Sequence, residues 1–172
     1  METQDNRKQI FQDWKSNKGY FKAQFILVLF RIAHLIITSH VIIKILFCWY
    51  LFFYQFFVEW VLGIELSWNL VIGKGVKLYH GQSLIVNGFS VIGENCVLRH
   101  CTTIGNKSDS VEDAYACPRI GNNVDIGSNV CIIGNISIGD NVSIGAGSIV
   151  VKDVPSNCVV VGNPARIIKF LK

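Results

Sequence analysis

Charge is scarce in this sequence. Only 16% of its 172 residues are Asp, Glu, Lys or Arg, and the formal net charge is +4. No basic run is long enough to follow a nucleic-acid backbone, so nucleic acid is not an expected partner. The six cysteines, at 48, 96, 101, 117, 131 and 158, make neither a CxxC pair nor the dense framework of a small secreted domain. They are expected as reduced thiols in a cytoplasmic chain. The first twenty residues are polar and mixed in charge, unlike a secretory signal. A composition that is 51% hydrophobic with 15 glycines argues against disorder. The length suits one domain with an appendage.

Glycine and proline are both absent from 20 to 62, the most apolar part of the chain, and residues 47–60 alone hold nine aromatics. This grammar predicts helices. Within the stretch the longest runs free of Asp, Glu, Lys and Arg are 32–43 and 45–58, shorter than the eighteen or so residues of a spanning helix. A helix apolar on every side still has to be covered. The expectation for 21–62 is either burial between subunits or contact with a membrane surface, which would make the protein peripheral at the inner face. His34 and His40 fall in this stretch and are expected as packing residues.

From Ile120 the text steps in sixes: IGNNVD, IGSNVC, IIGNIS, IGDNVS, IGAGSI, VVKDVP. Each unit opens on an aliphatic residue (Ile120, Ile126, Ile132, Ile138, Ile144, Val150), and its fifth slot is small or branched (Val124, Val130, Ile136, Val142, Ser148, Val154). The same step shows at Ile72 and Leu78 and at Ile92, Leu98 and Ile104. Six-residue units with one inward aliphatic make short strands that meet at corners, three sides to an eighteen-residue coil, with coils stacked as parallel strands. The predicted architecture is a parallel β-helix over 64–165, preceded by a helical segment over 1–63 and followed by a basic tail over 166–172. Between Ile104 and Ile120 the step is broken by a ten-residue excess, predicting a loop over 105–119 that folds over a cleft. Its Asp109, Glu112 and Asp113 are candidates to touch a substrate or to be simply solvated.

His80 and His100 each follow an inward leucine, Leu78 and Leu98, at the same distance. Their spacing of twenty is one coil plus two residues, a bulge expected near VNGFSV at 86–91. The two rings should stack on adjacent coils at one edge of the prism. A histidine there is either a general base, poised near neutral pH, or a corner residue satisfied by a backbone carbonyl.

The run 120–154 followed by VVVGNPARII at 159–168 resembles the hexapeptide-repeat acyltransferases, and YQFFVEWVLGIELSWNLVIGKGVKLYHG and CPRIGNNVDIGSNVCIIGNISIG resemble their serine O-acetyltransferase branch. VLRHCTTIGN and YACPRIG are closer to exopolysaccharide O-acetyltransferases of the colanic-acid type. The resemblance covers roughly 20–168. It implies an all-β left-handed parallel β-helix, although general crossover rules favour right-handed turns. It further implies a homotrimer with acetyl-CoA as cosubstrate in the cleft between subunits, and His80 as general base, with His100 beside it. The donor would run along Gly105, Asn106, Ser128, Ala146 and Gly147, its phosphates meeting Lys152, Arg166 and Lys169.

Two positions depart from the serine enzymes. An Asp that precedes their base and holds the amino acid is Tyr79 here, and the Arg-His of their loop is replaced by Ala116 and Cys117 before Pro118. A phenol does not balance an ammonium, so a sugar hydroxyl in a glycan is the expected acceptor, with Tyr79 and Cys117 lining its pocket. Free serine is the alternative. An acyl-enzyme on Cys117 is disfavoured because the superfamily transfers directly. Two rivals remain on the same scaffold: a non-catalytic coil stack, and a zinc enzyme of the γ-carbonic-anhydrase kind. The zinc site needs three facing histidines, and the β-helix has two; no metal is expected.

Overall fold

Six-residue steps translate into a three-faced prism. The computed structural model describes residues 9–107 and 115–171. One face carries parallel strands Ile64–Leu66, Leu84–Val86, Thr103–Gly105, Cys131–Ile133 and Ile149–Val150. The second carries Val71–Ile72, Val91–Ile92, Arg119–Ile120 and Ser137–Ile138. The third carries Lys77–Tyr79, Val97–Arg99, Asp125–Ile126, Ser143–Ile144 and Cys158–Val161. The coil is a left-handed β-helix of about four turns. Its interior is the column of inward aliphatics, with Leu78, Leu98, Ile126, Ile144 and Val160 all buried on the third face. The fifth-slot residues named above, from Val124 to Val154, are buried at the corners.

The three edges differ in chemistry. Between the second and third faces, Asn95, Asn123, Asn141 and Asn157 each take a positive φ, and the last three are linked side chain to side chain, Asn123 to Asn141 at 3.1 Å and Asn141 to Asn157 at 2.9 Å. Asparagine tolerates the left-handed conformation and fits the repeated corner. The edge between the third and first faces carries His80 and His100. The edge between the first and second carries the long loop, of which 108–114, with Asp109, Glu112 and Asp113, lie outside the described residues.

Register shows where the repeat is irregular. On the third face Leu78 pairs with Leu98, Val97 with Asp125, Ile126 with Ile144 and Ile144 with Val160, offsets of 20, 28, 18 and 16 residues. The excess of two was expected at 86–91. It sits instead between Leu78 and Val86, because Val86 pairs with Ile104 and the step from Val86 to Ile92 is a normal six. The bulge is therefore the His80 corner itself.

Both ends of the third sheet are closed. The expected tail is a strand, Arg166–Phe170, antiparallel on Cys158–Val161. At the other end residues 9–20 and the long helix Phe21–Thr38 cover the first coil. Ile26, Phe30 and Ala33 of that helix are fully buried. Arg31 donates to the carbonyls of Ile72 and Gly73 at 2.8 and 2.7 Å and to Asp13 Oδ2 at 2.8 Å. Asp13 Oδ1 accepts from the Val76 N–H at 3.0 Å. Asn17 then imitates a neighbouring strand, accepting from the Leu78 N–H at 2.9 Å and donating to the Val76 carbonyl at 2.7 Å. These polar groups are buried and paired, as burial requires. His34 is satisfied by the Trp68 carbonyl at 2.8 Å, the packing role expected of it.

Among the described residues Phe21–Thr38 is long and apolar enough to cross a membrane, but half of it is buried in the protein. After it come two short helices, Val41–Leu46 and Cys48–Tyr54, and a wider helical turn, Gln55–Val61. Tyr54, the last residue of the second short helix, ties it to the first coil by donating to the Leu66 carbonyl at 2.6 Å. Asp13→Ala should destabilise the fold by about 3–5 kcal/mol, since it leaves Arg31 buried without its carboxylate. Asp13→Asn, which keeps an acceptor for the Val76 N–H, should lose less. Urea unfolding of the three proteins measures the order.

Candidate functional site

At the histidine edge, the two inserted residues reshape one corner. In the regular corners the left-handed residue comes three after the inward aliphatic: Cys101 after Leu98, Asn129 after Ile126, Gly147 after Ile144. After Leu78 it comes one residue early, at His80, with φ +64°, and is followed by Gly81 at +57° and Ser83 at +50°. The Gly81 N–H bonds to the Tyr79 carbonyl at 2.8 Å, closing a three-residue turn centred on His80. A turn of this kind with positive φ at its centre is rare and strained, on the order of 1–3 kcal/mol for a residue with a β-carbon. A β-carbon on Gly81 would come within 3.0 Å of Leu78 Cδ2 at a φ that disfavours side chains. The corner thus holds His80 out of the regular path.

His100 meets His80 edge to face, ring centroids 5.5 Å apart and planes at 81°, the stacking on adjacent coils that the spacing predicts. Its Nδ1 is buried with no hydrogen-bond partner among the described residues. An orphaned buried ring nitrogen costs about 1–3 kcal/mol and calls for an explanation.

On its other side His80 opens into a cavity of about 320 Å³ between the corner and the start of the long helix. Tyr20, Phe21, Lys22, Ile26 and Gln82 share its walls. The spacing argument missed Tyr20, Lys22 and Gln82. Counting eight residues from Leu78 to Val86 points to Gln82, whereas the helix start gives no motif. Tyr79 does not line this cavity; it stands on the third face, edge to face with Tyr20 at 5.1 Å. Lys77 lies 4.7 Å above the Tyr79 ring, and the Arg99 guanidinium 5.4 Å from it. Arg99 also pairs with Asp125.

The remaining predicted residues divide between two edges. Ser128, Ala146 and Gly147 continue the histidine edge toward the far end, with the Gly147 N–H on the Ser128 carbonyl at 2.9 Å. A β-carbon on Gly147 would touch nothing within 4 Å, so this corner is open alongside. Gly105, Asn106 and Cys117 belong to the loop edge, where Asn87 donates to Asn106 at 3.0 Å. Lys152 and Arg166 line a cavity of about 100 Å³ near the far end. Lys169 pairs by register with Val159, on the closing strand. Cys117 is buried, and burial pushes its thiol pKa up, against a smaller lowering by hydrogen bonding from Ser90. That is the opposite of what activates a nucleophile. Among the described residues no group of three His, Cys, Asp or Glu could hold a metal ion.

No family model matches the sequence. The putative colanic acid biosynthesis acetyltransferase WcaB of Escherichia coli K12 is 34% identical over 161 residues, covering 92% of this chain and 98% of its own. Serine acetyltransferase 4 of Arabidopsis thaliana is 40% identical over 114 residues, 66% of this chain and 32% of its own. Among solved structures, serine acetyltransferase of Neisseria gonorrhoeae superposes with a TM-score of 0.82 at 29% identity, covering 97% of this chain and 67% of that one. The Brucella abortus serine acetyltransferase in complex with coenzyme A gives 0.79 at 28% identity, with the same coverage. A relative matched over nearly its whole length, and a coil stack held in common with these enzymes, place this chain in a family: it belongs to the hexapeptide-repeat acetyltransferases, on the branch that joins the colanic-acid and serine enzymes.

Proposed function

We propose that this acetyltransferase moves an acetyl group from acetyl-CoA to a hydroxyl of a sugar, with His80 as general base. The observation that carries the reading is the strained corner, which projects a histidine into the mouth of a cavity large enough for a small molecule. His80 accepts the hydroxyl proton as the oxygen bonds to the thioester carbonyl carbon. Collapse of the tetrahedral adduct breaks the carbon–sulfur bond, and His80 returns the proton to the departing thiolate, so the products are the acetyl ester and the free thiol. Backbone N–H groups at a glycine corner would steady the oxyanion. His100 faces His80 with a buried unpaired nitrogen and would orient the base or the acceptor.

Donor residues fit the same reading. The open corner at Gly147 leaves room for an extended arm beside Ser128 and Ala146, and Lys152 and Arg166 converge where phosphates would lie. Gly105, Asn106 and Cys117 sit on a different edge of the same prism, so one chain does not enclose the donor and acceptor with both sets. A homotrimer, in which one copy's histidine edge faces the next copy's loop edge, unites them. Among the described residues no carboxylate lines the cavity beside His80, which favours a sugar over the charged amine of free serine. All six cysteines are free thiols, in keeping with a reducing, cytoplasmic setting.

The apolar helices remain to be covered. Ile42, Trp49, Phe52 and Trp60 are 73, 61, 73 and 75% exposed. Neighbouring copies are the covering we favour, with a membrane surface as the other reading. The double variant Trp49→Ser, Phe52→Ser should lower the sedimentation coefficient in the first case and abolish flotation with anionic vesicles in the second.

In a thiol-release assay with acetyl-CoA and a panel of sugars and free serine, His80→Ala should lose about 10²–10⁴-fold in turnover while still binding coenzyme A. Cys117→Ser should keep most of it, as a lining residue would. Rapid turnover of serine alone would overturn the sugar preference, and unchanged turnover in His80→Ala would remove the base. Arg166→Ala should weaken coenzyme A binding by about tenfold, read by calorimetry.

A further inference from the structure

Resting on the acetyl-transfer reading, a narrower statement about the acceptor follows from charge. Lys22 lines the same cavity as His80. Lys77 is outside the lining, but its ammonium lies 6.0 Å from the ring of Tyr20, itself a wall of the cavity, and 4.7 Å from that of Tyr79. Neither lysine has a carboxylate within 4 Å among the described residues, and the nearby Arg99 is already engaged by Asp125. Among the described residues no acidic side chain lines the cavity. Hydrogen bonding to Tyr79 raises the Lys77 pKa, which keeps it cationic. The walls between these charges are aromatic and aliphatic: Tyr20, Phe21, Ile26 and Leu78. An aromatic wall suits the apolar face of a sugar ring, and Gln82, also in the lining, can bond a ring hydroxyl. A zwitterionic amino acid would meet two cations with no carboxylate to hold its ammonium.

We propose that the cavity between the start of the long helix and the His80 corner is the acceptor subsite, and that it takes a sugar bearing an anionic group, a carboxylate or a phosphate, met by Lys22 and Lys77. The ring lies against Tyr20, and a free hydroxyl points at His80. Phosphates of the donor are served separately by Lys152 and Arg166, at the other end of the coils.

The test uses the full-length protein and two matched pairs of probes: methyl glucuronide against methyl glucoside, and glucose 6-phosphate against glucose. Binding is followed by the imidazole NMR signals of His80. The anionic member of at least one pair should shift those signals with a Kd about tenfold or more below that of its neutral partner. The pair that shows it separates carboxylate from phosphate. Lys22→Gln with Lys77→Gln should erase the difference. Binding blind to charge, no binding of any probe at the His80 corner, or a charge preference that survives the double variant overturns the proposal. Thiol release in wild type and His80→Ala is measured alongside. Charge-blind binding with His80-dependent turnover would sink the subsite and leave acetyl transfer standing. Lysine-dependent binding without any turnover would do the reverse.

Discussion

One buried ion pair holds the two halves of the molecule together. Asp13 and Arg31 meet beneath the first coil, and each also bonds to coil backbone, Asp13 to Val76 and Arg31 to Ile72 and Gly73. Asn17 extends the same hook along the exposed edge of the strand that leads into His80. Without it the first coil would present unpaired N–H and C=O groups, the usual liability of an edge strand. With it, Tyr20 and Lys22 are carried to the wall of the cavity beside His80. The hook is at once the end cap of a solenoid and a wall of the candidate site.

The regular part of the molecule was legible and the irregular part was not. Ile120 to Val150 announces a β-helix because each aliphatic has one job, to point inward, and the spacing leaves no other architecture. The approach of His80 to His100 followed from the same arithmetic. Its failure is instructive. The two extra residues were expected at 86–91, where Asn and Gly suggest a bulge, but the excess falls within the corner made by His80, Gly81, Gln82 and Ser83. A histidine at positive φ has no signature in composition. The hook escaped notice for a related reason: Asp13 and Asn17 look like any polar residues before a helix until their backbone partners, some sixty positions on, are known.

The candidate site gathers where the six-step fails. The excess of two makes the histidine corner, and the excess of ten makes the loop that carries Cys117. Between them the coils are rigid and nearly identical, which is what lets small departures place side chains accurately. The exposed face of the short helices is a different kind of feature. Its large apolar side chains stand exposed in the single chain.

Parallel stacking also turns the coil into a measuring stick. His80 follows the first strand of the third face, and Arg166 opens the strand that closes the last. Five strand spacings of about 4.8 Å separate those strands, a length of roughly 24 Å set by backbone hydrogen bonds alone. Side-chain substitutions cannot alter it; only gain or loss of a whole turn can. Evolution can therefore redraw the histidine end freely while the distance from the His80 corner to Arg166 stays quantised.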